Sequence, residues 1–329
     1  MARIRRVSIH TGVLIAAVLA GVAAAGPARA QTDYPNKPVR IVVPFPPGGS
    51  VDLNARLLAV KFTEVLGQQI IVDNRAGASG QIGSDAVARA APDGYTLLLQ
   101  SNPFLTSTVL LSKSLYDPNS DFAPISLLST VSTVVAVHPS IPVRSVRELI
   151  AFARARPGAL NYASSAIGSN SHMTGELFNL LGKTNMMAIQ YKGGGPALAA
   201  AVSGEAPISF SNISETARMV EAKRLRALGV SSVKRSPILP DVPPIAETLP
   251  GFEFHAWHGL LAPKGTPPKL VALLNEKLRA AMAAPDQQKR FQDRGLDVVT
   301  NSPEEYAAYL KVELQKWGKL IRERNIKAE

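Results

Sequence analysis

No cysteine occurs among the 329 residues. That absence excludes disulfides, cysteinyl zinc, iron–sulfur ligation, a thiol nucleophile and a lipid-modified N-terminal cysteine. Long apolar runs are also scarce: only residues 11–26 form one, and at about sixteen residues it is short of the roughly twenty a membrane-spanning helix needs. Acidic residues are outnumbered, 25 against 36 Lys and Arg, for a formal net charge of +11. Charged residues make up 19% and hydrophobic ones 46%, a balance that argues for a folded core and against disorder. The length suits two domains.

The apolar run follows Arg3, Arg5 and Arg6 and precedes Ala28-Arg29-Ala30, the small-x-small form of a leader-peptidase site. Residues 1–30 are therefore expected to be a signal peptide cleaved after Ala30, with the mature protein exported to the periplasm. The Arg5-Arg6 pair leaves open whether the route is the general or the twin-arginine one. Loss of the four leader arginines lowers the net charge from +11 to +7. The remaining basic residues are scattered and interleaved with acids, as in Arg322-Glu323-Arg324, with no basic stripe carrying aromatics. Nucleic acid is thus not an expected partner. A modest positive field favours anionic ligands.

The pattern along the chain alternates strand and helix. Val39-Arg40-Ile41-Val42-Val43 reads as a buried strand, ended by Pro44-Phe45-Pro46-Pro47-Gly48-Gly49. A helix should follow, capped by Ser50, with an apolar face from Leu53 to Leu66 and a stop at Gly67. Strands are expected at 69–72 and 96–99, and between them a helix opened by Gly77, Gly80 and Gly83. After the apolar stretch 125–137 come a helix at 145–156, strands at 161–163, 189–191, 207–210 and 226–230, and helices at 171–181 and 197–202. A strand at 257–262 and helices at 268–284 and 303–324 complete the chain. This is the grammar of an α/β protein with mainly parallel sheets.

Enzyme signatures fail one by one. There is no Gly-x-Ser-x-Gly elbow. Gly182-Lys183-Thr184 imitates the end of a phosphate loop, but Leu177 stands where that loop needs glycine. Gly77, Gly80 and Gly83 have the wrong spacing for dinucleotide binding. None of His10, His138, His172, His255 and His258 has metal-ligand spacing with a second ligand on a helix face. No cofactor or metal is expected.

Three strand-to-helix turns instead suit a carboxylate: residues 45–52, residues 164–172, and Tyr191-Lys192-Gly193-Gly194-Gly195-Pro196. Ligands of open α/β sheets bind at the carboxyl ends of strands, where helix N-termini offer free N–H groups and about half a unit of positive charge.

The opening Tyr34-Pro35-x-Lys37-Pro38-Val39-Arg40-Ile41-Val42-Val43-Pro44-Phe45-Pro46-Pro47-Gly48-Gly49-x-x-Asp52 resembles that of the Bug-type solute receptors, the extracytoplasmic binding proteins of tripartite tricarboxylate transporters. The likeness continues through Val72-Asp73-Asn74-Arg75-x-Gly77-Ala78-x-Gly80, Pro92-Asp93-Gly94-Tyr95-Thr96-Leu97, Leu225-Arg226-Ala227-Leu228-Gly229-Val230, Pro240-Asp241-Val242-Pro243 and Gly259-Leu260-Leu261-Ala262-Pro263-x-Gly265-Thr266-Pro267. It spans residues 34–327.

The resemblance implies a two-lobed periplasmic-binding-protein fold of type II-like form, with a small organic carboxylate held in the cleft and no catalysis. Crossing segments are expected near residues 129–137 and 252–260. Residues 31–131 plus 252–329 would form one lobe and 132–251 the other. Carried over by resemblance, the ligand-binding set is Pro46, Gly48, Gly49, Asp52, Ser101, Ser164, Ser165, Gly168, Ser169, Ser171, His172, Tyr191 and Asn212. Backbone N–H groups around Gly48-Gly49 and Gly168-Ser169, with the hydroxyls of Ser164, Ser165 and Ser169, are expected to hold one carboxylate, and Asp52 to cap its helix or orient a bridging water. The chain departs from the family pattern at Ser101-Asn102-Pro103-Phe104, Ala166-Ile167 and Ser211, and Ile167 and Phe104 suggest a more apolar distal half. Permease subunits of a tripartite tricarboxylate-type transporter are the implied partners, with the receptor monomeric. Two rival readings remain: an exported hydrolase-like enzyme using Ser169, Ser171 and His172, and an orphan receptor feeding a sensor.

Overall fold

A computed structural model describes residues 34–327, so the leader expected at 1–30 lies outside the described residues. Strand β1 (Val39–Val43) is fully apolar except at Arg40 and pairs in parallel with β2 (Ile70–Asn74) and β3 (Thr96–Gln100). Between them lie α1 (Ser50–Leu66) and α2 (Gln81–Ala88), the latter preceded by a 3-10 turn at Ala78–Gly80. Gly67 ends α1 with φ +71°, a left-handed cap that suits glycine. Helix α3 (Pro103–Leu110) follows β3 directly and was not anticipated. It is packed on nearly every side, with Thr106 and Ser107 buried along with its apolar residues, and so shows no amphipathic stripe.

Strand β4 (Phe122–Val137) is the spine of the molecule. Its residues 122–132 pair with β9 (His255–Pro263). Its residues 133–137 pair on one edge with β7 (Ile208–Asn212) and on the other with β8 (Arg226–Val230). The strand order is β2-β1-β3-β9-β4-β7-β5-β6, with β5 at Asn161–Ser164 and β6 at Met187–Gln190. One 16-residue strand thus serves both halves of a curled, mixed sheet. The β1–β2–β3 and β5–β6–β7 groups are parallel, while β4, β8 and β9 run antiparallel to their neighbours.

Helices α4 (Val146–Arg154), α5 (Asn170–Gly182), α6 (Gly194–Ser203) and α7 (Ile213–Glu221) flank the second half. Helix α5 runs through Gly182, one residue beyond the expected end at 181, and is capped by Lys183 (φ +46°). After β9 the chain stays with the first half. Helix α8 (Pro268–Ala283) packs on α1 and β4. The short α9 (Pro285–Gln292) and β10 (Leu296–Val298) follow, and α10 (Pro303–Glu323) packs on α3 and β4.

Each half has a hydrophobic core among the described residues. Tyr162, Phe178, Phe210 and Phe252 centre one; Leu98, Phe104, Trp257 and Tyr306 centre the other. Each fully buried side chain of this kind contributes about 1.5–3 kcal/mol. The fold is the two-lobed α/β type that the sequence implied. Among the described residues no helix is long and apolar enough to cross a membrane.

Candidate functional site

Strands β1, β3, β5, β6 and β7 all end at one cavity of about 380 Å³. Its wall draws on residues 45–51, Ser79, Ser101 and Pro103 from the first half. The second half supplies 165–171 in part, 192–196, Leu198, 210–212 and Glu215. Of the residues singled out by sequence, Pro46, Gly48, Gly49, Ser101, Ser165, Ser169, Ser171 and Asn212 line it. Asp52, Ser164, Gly168, His172 and Tyr191 stand behind the wall or beside it.

The residues behind the wall shape the turns. The Gly48 N–H donates to Asp52 Oδ2 (2.9 Å), and Arg56 Nε donates to the same oxygen at 3.0 Å. Asp52 is buried, which works to raise its pKa. Hydrogen bonds from Arg56, Gly48 and Asn74 and the Arg56 charge outweigh this and leave the pKa lowered. The Gly168 N–H donates to His172 Nδ1 at 3.0 Å, and the Ser169 N–H to Ala166 O at 3.1 Å. Three amides expected to face a ligand are therefore engaged within their own turns.

The donors left over lie one step further into each helix. Helix geometry leaves the first N–H groups without intrahelical partners. In α1 these belong to Ser50, Val51 and Asp52, since Gly49 is the N-cap and Leu53 N–H is the first to bond back, to Gly49 O. Ser50 is thus the first helical residue, not the cap. In α5 they belong to Asn170 and Ser171, because Ser169 is the N-cap and its Oγ accepts from His172 N–H. Hydroxyls join them: Ser171 Oγ lies 3.1 Å from Ser165 Oγ and 3.0 Å from Ser169 Oγ.

Gly168 positions the second turn. Its φ is +74°, and a Cβ there would stand 2.5 Å from Leu110 Cδ1. Its carbonyl accepts from Thr106 Oγ1 at 2.7 Å, which pins the turn to α3 of the other half. Phe104, expected to face the ligand, is instead fully buried. It stacks on Tyr116 at 5.3 Å and meets Phe122 edge-on, whereas Ile167 does line the cavity.

Ser50 carries a hydrogen-bond chain that the sequence did not reveal. Asn54 Nδ2 donates to Ser50 O (2.9 Å), which fixes the amide so that Asn54 Oδ1 accepts from Ser129 Oγ at 2.8 Å. Ser129 Oγ then accepts from His258 Nδ1 (3.2 Å), and His258 Nε2 accepts from Ser50 Oγ (3.0 Å). Protons and tautomer follow from this network. The Ser50 hydroxyl donates to His258 and leaves its lone pairs for the cavity.

Glu215 and Lys192 are the charged residues on the wall; Lys192 belongs to the third turn that the sequence offered, whereas Glu215 was not a candidate. Glu215 escaped because α7 escaped: β7 runs into it with no turn between, and Asn212 is both the last strand residue and the N-cap. Asn212-Ile213-Ser214-Glu215 does carry an Asn-x-x-Glu helix-start signal that would have found it.

The serine–histidine reading fails on geometry. The His172 ring nitrogen Nδ1 is engaged by Gly168 N–H, and it is the backbone N–H of His172, not its ring, that meets Ser169. Among the described residues no histidine ring nitrogen is hydrogen-bonded to either serine.

The sequence profile of the tripartite tricarboxylate transporter family receptor matches residues 54–326. The chain belongs to that family. It is 38% identical to protein BugT of Bordetella pertussis over 319 residues, which is 96% of each chain. Its structure is similar to that of Rpa4515 from R. palustris with adipate, at 34% identity and a TM-score of 0.84, over 89% of this chain and 99% of that one. It is also similar to MatC from Rhodopseudomonas palustris with bound malate, at 32% identity and a TM-score of 0.80, over 88% and 100%. Members of this family are periplasmic solute receptors, not enzymes.

Proposed function

We propose that this chain is an extracytoplasmic receptor that captures a small organic carboxylate between its lobes and delivers it to the permease subunits of a tripartite tricarboxylate-type transporter. Residues 1–30 are its signal peptide, cut after Ala30, and the mature receptor works in the periplasm as a monomer. The lobes divide at residues 131/132 and 251/252. The carrying observation is that the free N–H ends of α1 and α5 open onto one cavity from its two sides, with Ser165, Ser169 and Ser171 beside them. Each helix end carries about half a positive charge, so two of them suit one carboxylate without an arginine. Donors from both lobes make the closed state the bound state. The adipate and malate seen in the two R. palustris proteins support the ligand class.

Mass spectrometry of ligand carried through purification names the compound. Titration calorimetry then compares wild type with Ser169→Ala, whose loss of a hydroxyl to a charged ligand should weaken binding about tenfold or more. A native ligand without a carboxylate, or unchanged affinity in a folded Ser169→Ala, refutes the reading. Uptake in a strain lacking the permease genes separates transport from service to a sensor.

A further inference from the structure

Glu215 presents a carboxylate to the cavity that no described residue satisfies. It is half-buried, and among the described residues it takes part in no hydrogen bond and no ion pair. It stands third in α7, where a glutamate commonly reaches back to the N-cap amide, yet no such bond forms. Instead it lies beside the first turn of α6: a methyl group on Gly194 would stand 3.1 Å from its Oε2. The third of the glycine-rich turns that looked suited to an anion is therefore already faced by the protein's own carboxyl.

Other acceptors on the wall are also short of donors. Asn212, 6% exposed, has no partner for its Oδ1. Ser50 has its proton committed to His258 and offers lone pairs. Lys192 is exposed and forms no ion pair among the described residues. Closing a cleft over an unpaired carboxylate is costly, and a second ligand carboxylate placed against it adds repulsion. A cationic nitrogen removes both penalties, because its N–H groups donate to Oε1 and Oε2 in charge-assisted hydrogen bonds.

We infer that the ligand carries a cationic nitrogen besides its carboxylate, that Glu215 receives this nitrogen, and that the receptor is selective for aminocarboxylates over plain dicarboxylates. This rests on the proposed binding of the carboxylate at α1 and α5. Burial pushes the Glu215 pKa up to about 7, above the ordinary carboxylate range.

The test is calorimetry at pH 8 on the mature chain with chain-matched probes: 4-aminobutanoate and 6-aminohexanoate against succinate and adipate, with hexanoate and hexylamine carrying one end each. The aminocarboxylates should bind about tenfold or more tighter than the matching dicarboxylates. Glu215→Gln should abolish that preference, and Glu215→Ala, checked for folding by its melting curve, should do the same. Failure of every aminocarboxylate to bind, a wild-type preference for dicarboxylates, or a ratio unmoved in both variants overturns the inference. If plain carboxylates bind while the ratio stays fixed, the carboxylate reading survives alone. If hexylamine matches 6-aminohexanoate, the carboxylate reading fails instead.

Discussion

Ser50 Oγ lies 3.0 Å from Nε2 of His258, joining the first residue of α1 to the middle of β9, 208 residues later in the chain. The link orients the one hydroxyl that α1 offers the cavity, and it requires a neutral imidazole. Full burial supplies that condition: desolvation lowers the His258 pKa to about 3. An unfolded chain would protonate this histidine near pH 6.5. The unfolded state therefore holds more protons at low pH, and stability must fall as pH drops from about 6.5 toward 3, by up to about 1.4 kcal/mol per pH unit. Above pH 6.5 the contribution is constant. His258→Gln keeps polar atoms for Ser50 and Ser129 but cannot titrate. Denaturant melts at pH 7 and pH 4.5 should show a smaller loss for the variant than for wild type. An equal loss would mean that His258 does not titrate in this window.

The Asp52 carboxylate and the Gly48 N–H form a second relationship that shapes the site. The turn residue Gly48 has φ +84°, and its amide points back to Asp52 instead of into the cavity. Asp52→Asn removes the charge that holds Arg56 and weakens the grip on Gly48. A loss of about 1–3 kcal/mol in stability at pH 7 is expected, together with a several-fold drop in ligand affinity as the α1 entrance loosens. The folded pKa is lowered, so this stabilisation is complete above the unfolded value near 4 and fades as pH falls through the lower folded value. Urea melts of the two proteins should therefore differ at pH 7 and converge toward pH 2. Retention of the full difference at pH 2 would show that the carboxylate charge is not its source.

Much of this architecture is legible in the residues. β-branched runs such as Val39–Val43 and glycine stops such as Gly67 locate their elements to within two residues, because backbone sterics and local burial decide them. Helices α3 and α7 were missed for opposite reasons. Helix α3 is buried all round and so has no polar face; α7 has a clear polar face but no turn before it. The three turns that line the cavity were visible as glycine- and serine-rich segments. Which of their amides are free was not, since that depends on Asp52, His172 and Ala166 folding back onto Gly48, Gly168 and Ser169. The Ser50–His258–Ser129–Asn54 chain joins residues from three distant segments, and no spacing rule connects them.

The pH dependence of ligand binding follows from Glu215. Its pKa of about 7 means that near neutrality it is only partly ionised. A cationic nitrogen binds the ionised form, so protons must leave when the ligand enters, and affinity for 6-aminohexanoate should rise with pH until Glu215 is fully ionised. Below its pKa the slope approaches tenfold per pH unit. A dicarboxylate shows the opposite sign, because it is tolerated only when Glu215 is protonated. The probe's own groups do not titrate between about pH 5.5 and 8.5, which makes that the useful window. On α7 and the elements packed against it the charged residues are Arg218 and Glu221 of α7 itself and Arg226 on β8, with Lys192 on the cavity wall, while α6, β4 and β7 carry none. Glu215→Gln leaves all four of those in place, so it isolates the carboxyl. Calorimetry in two buffers of different ionisation enthalpy should show proton release near pH 7 in wild type and none in the variant, whose affinity stays flat across the window. Proton uptake on binding 6-aminohexanoate, or an equally sloped profile in Glu215→Gln, would place the titrating group elsewhere in the cleft.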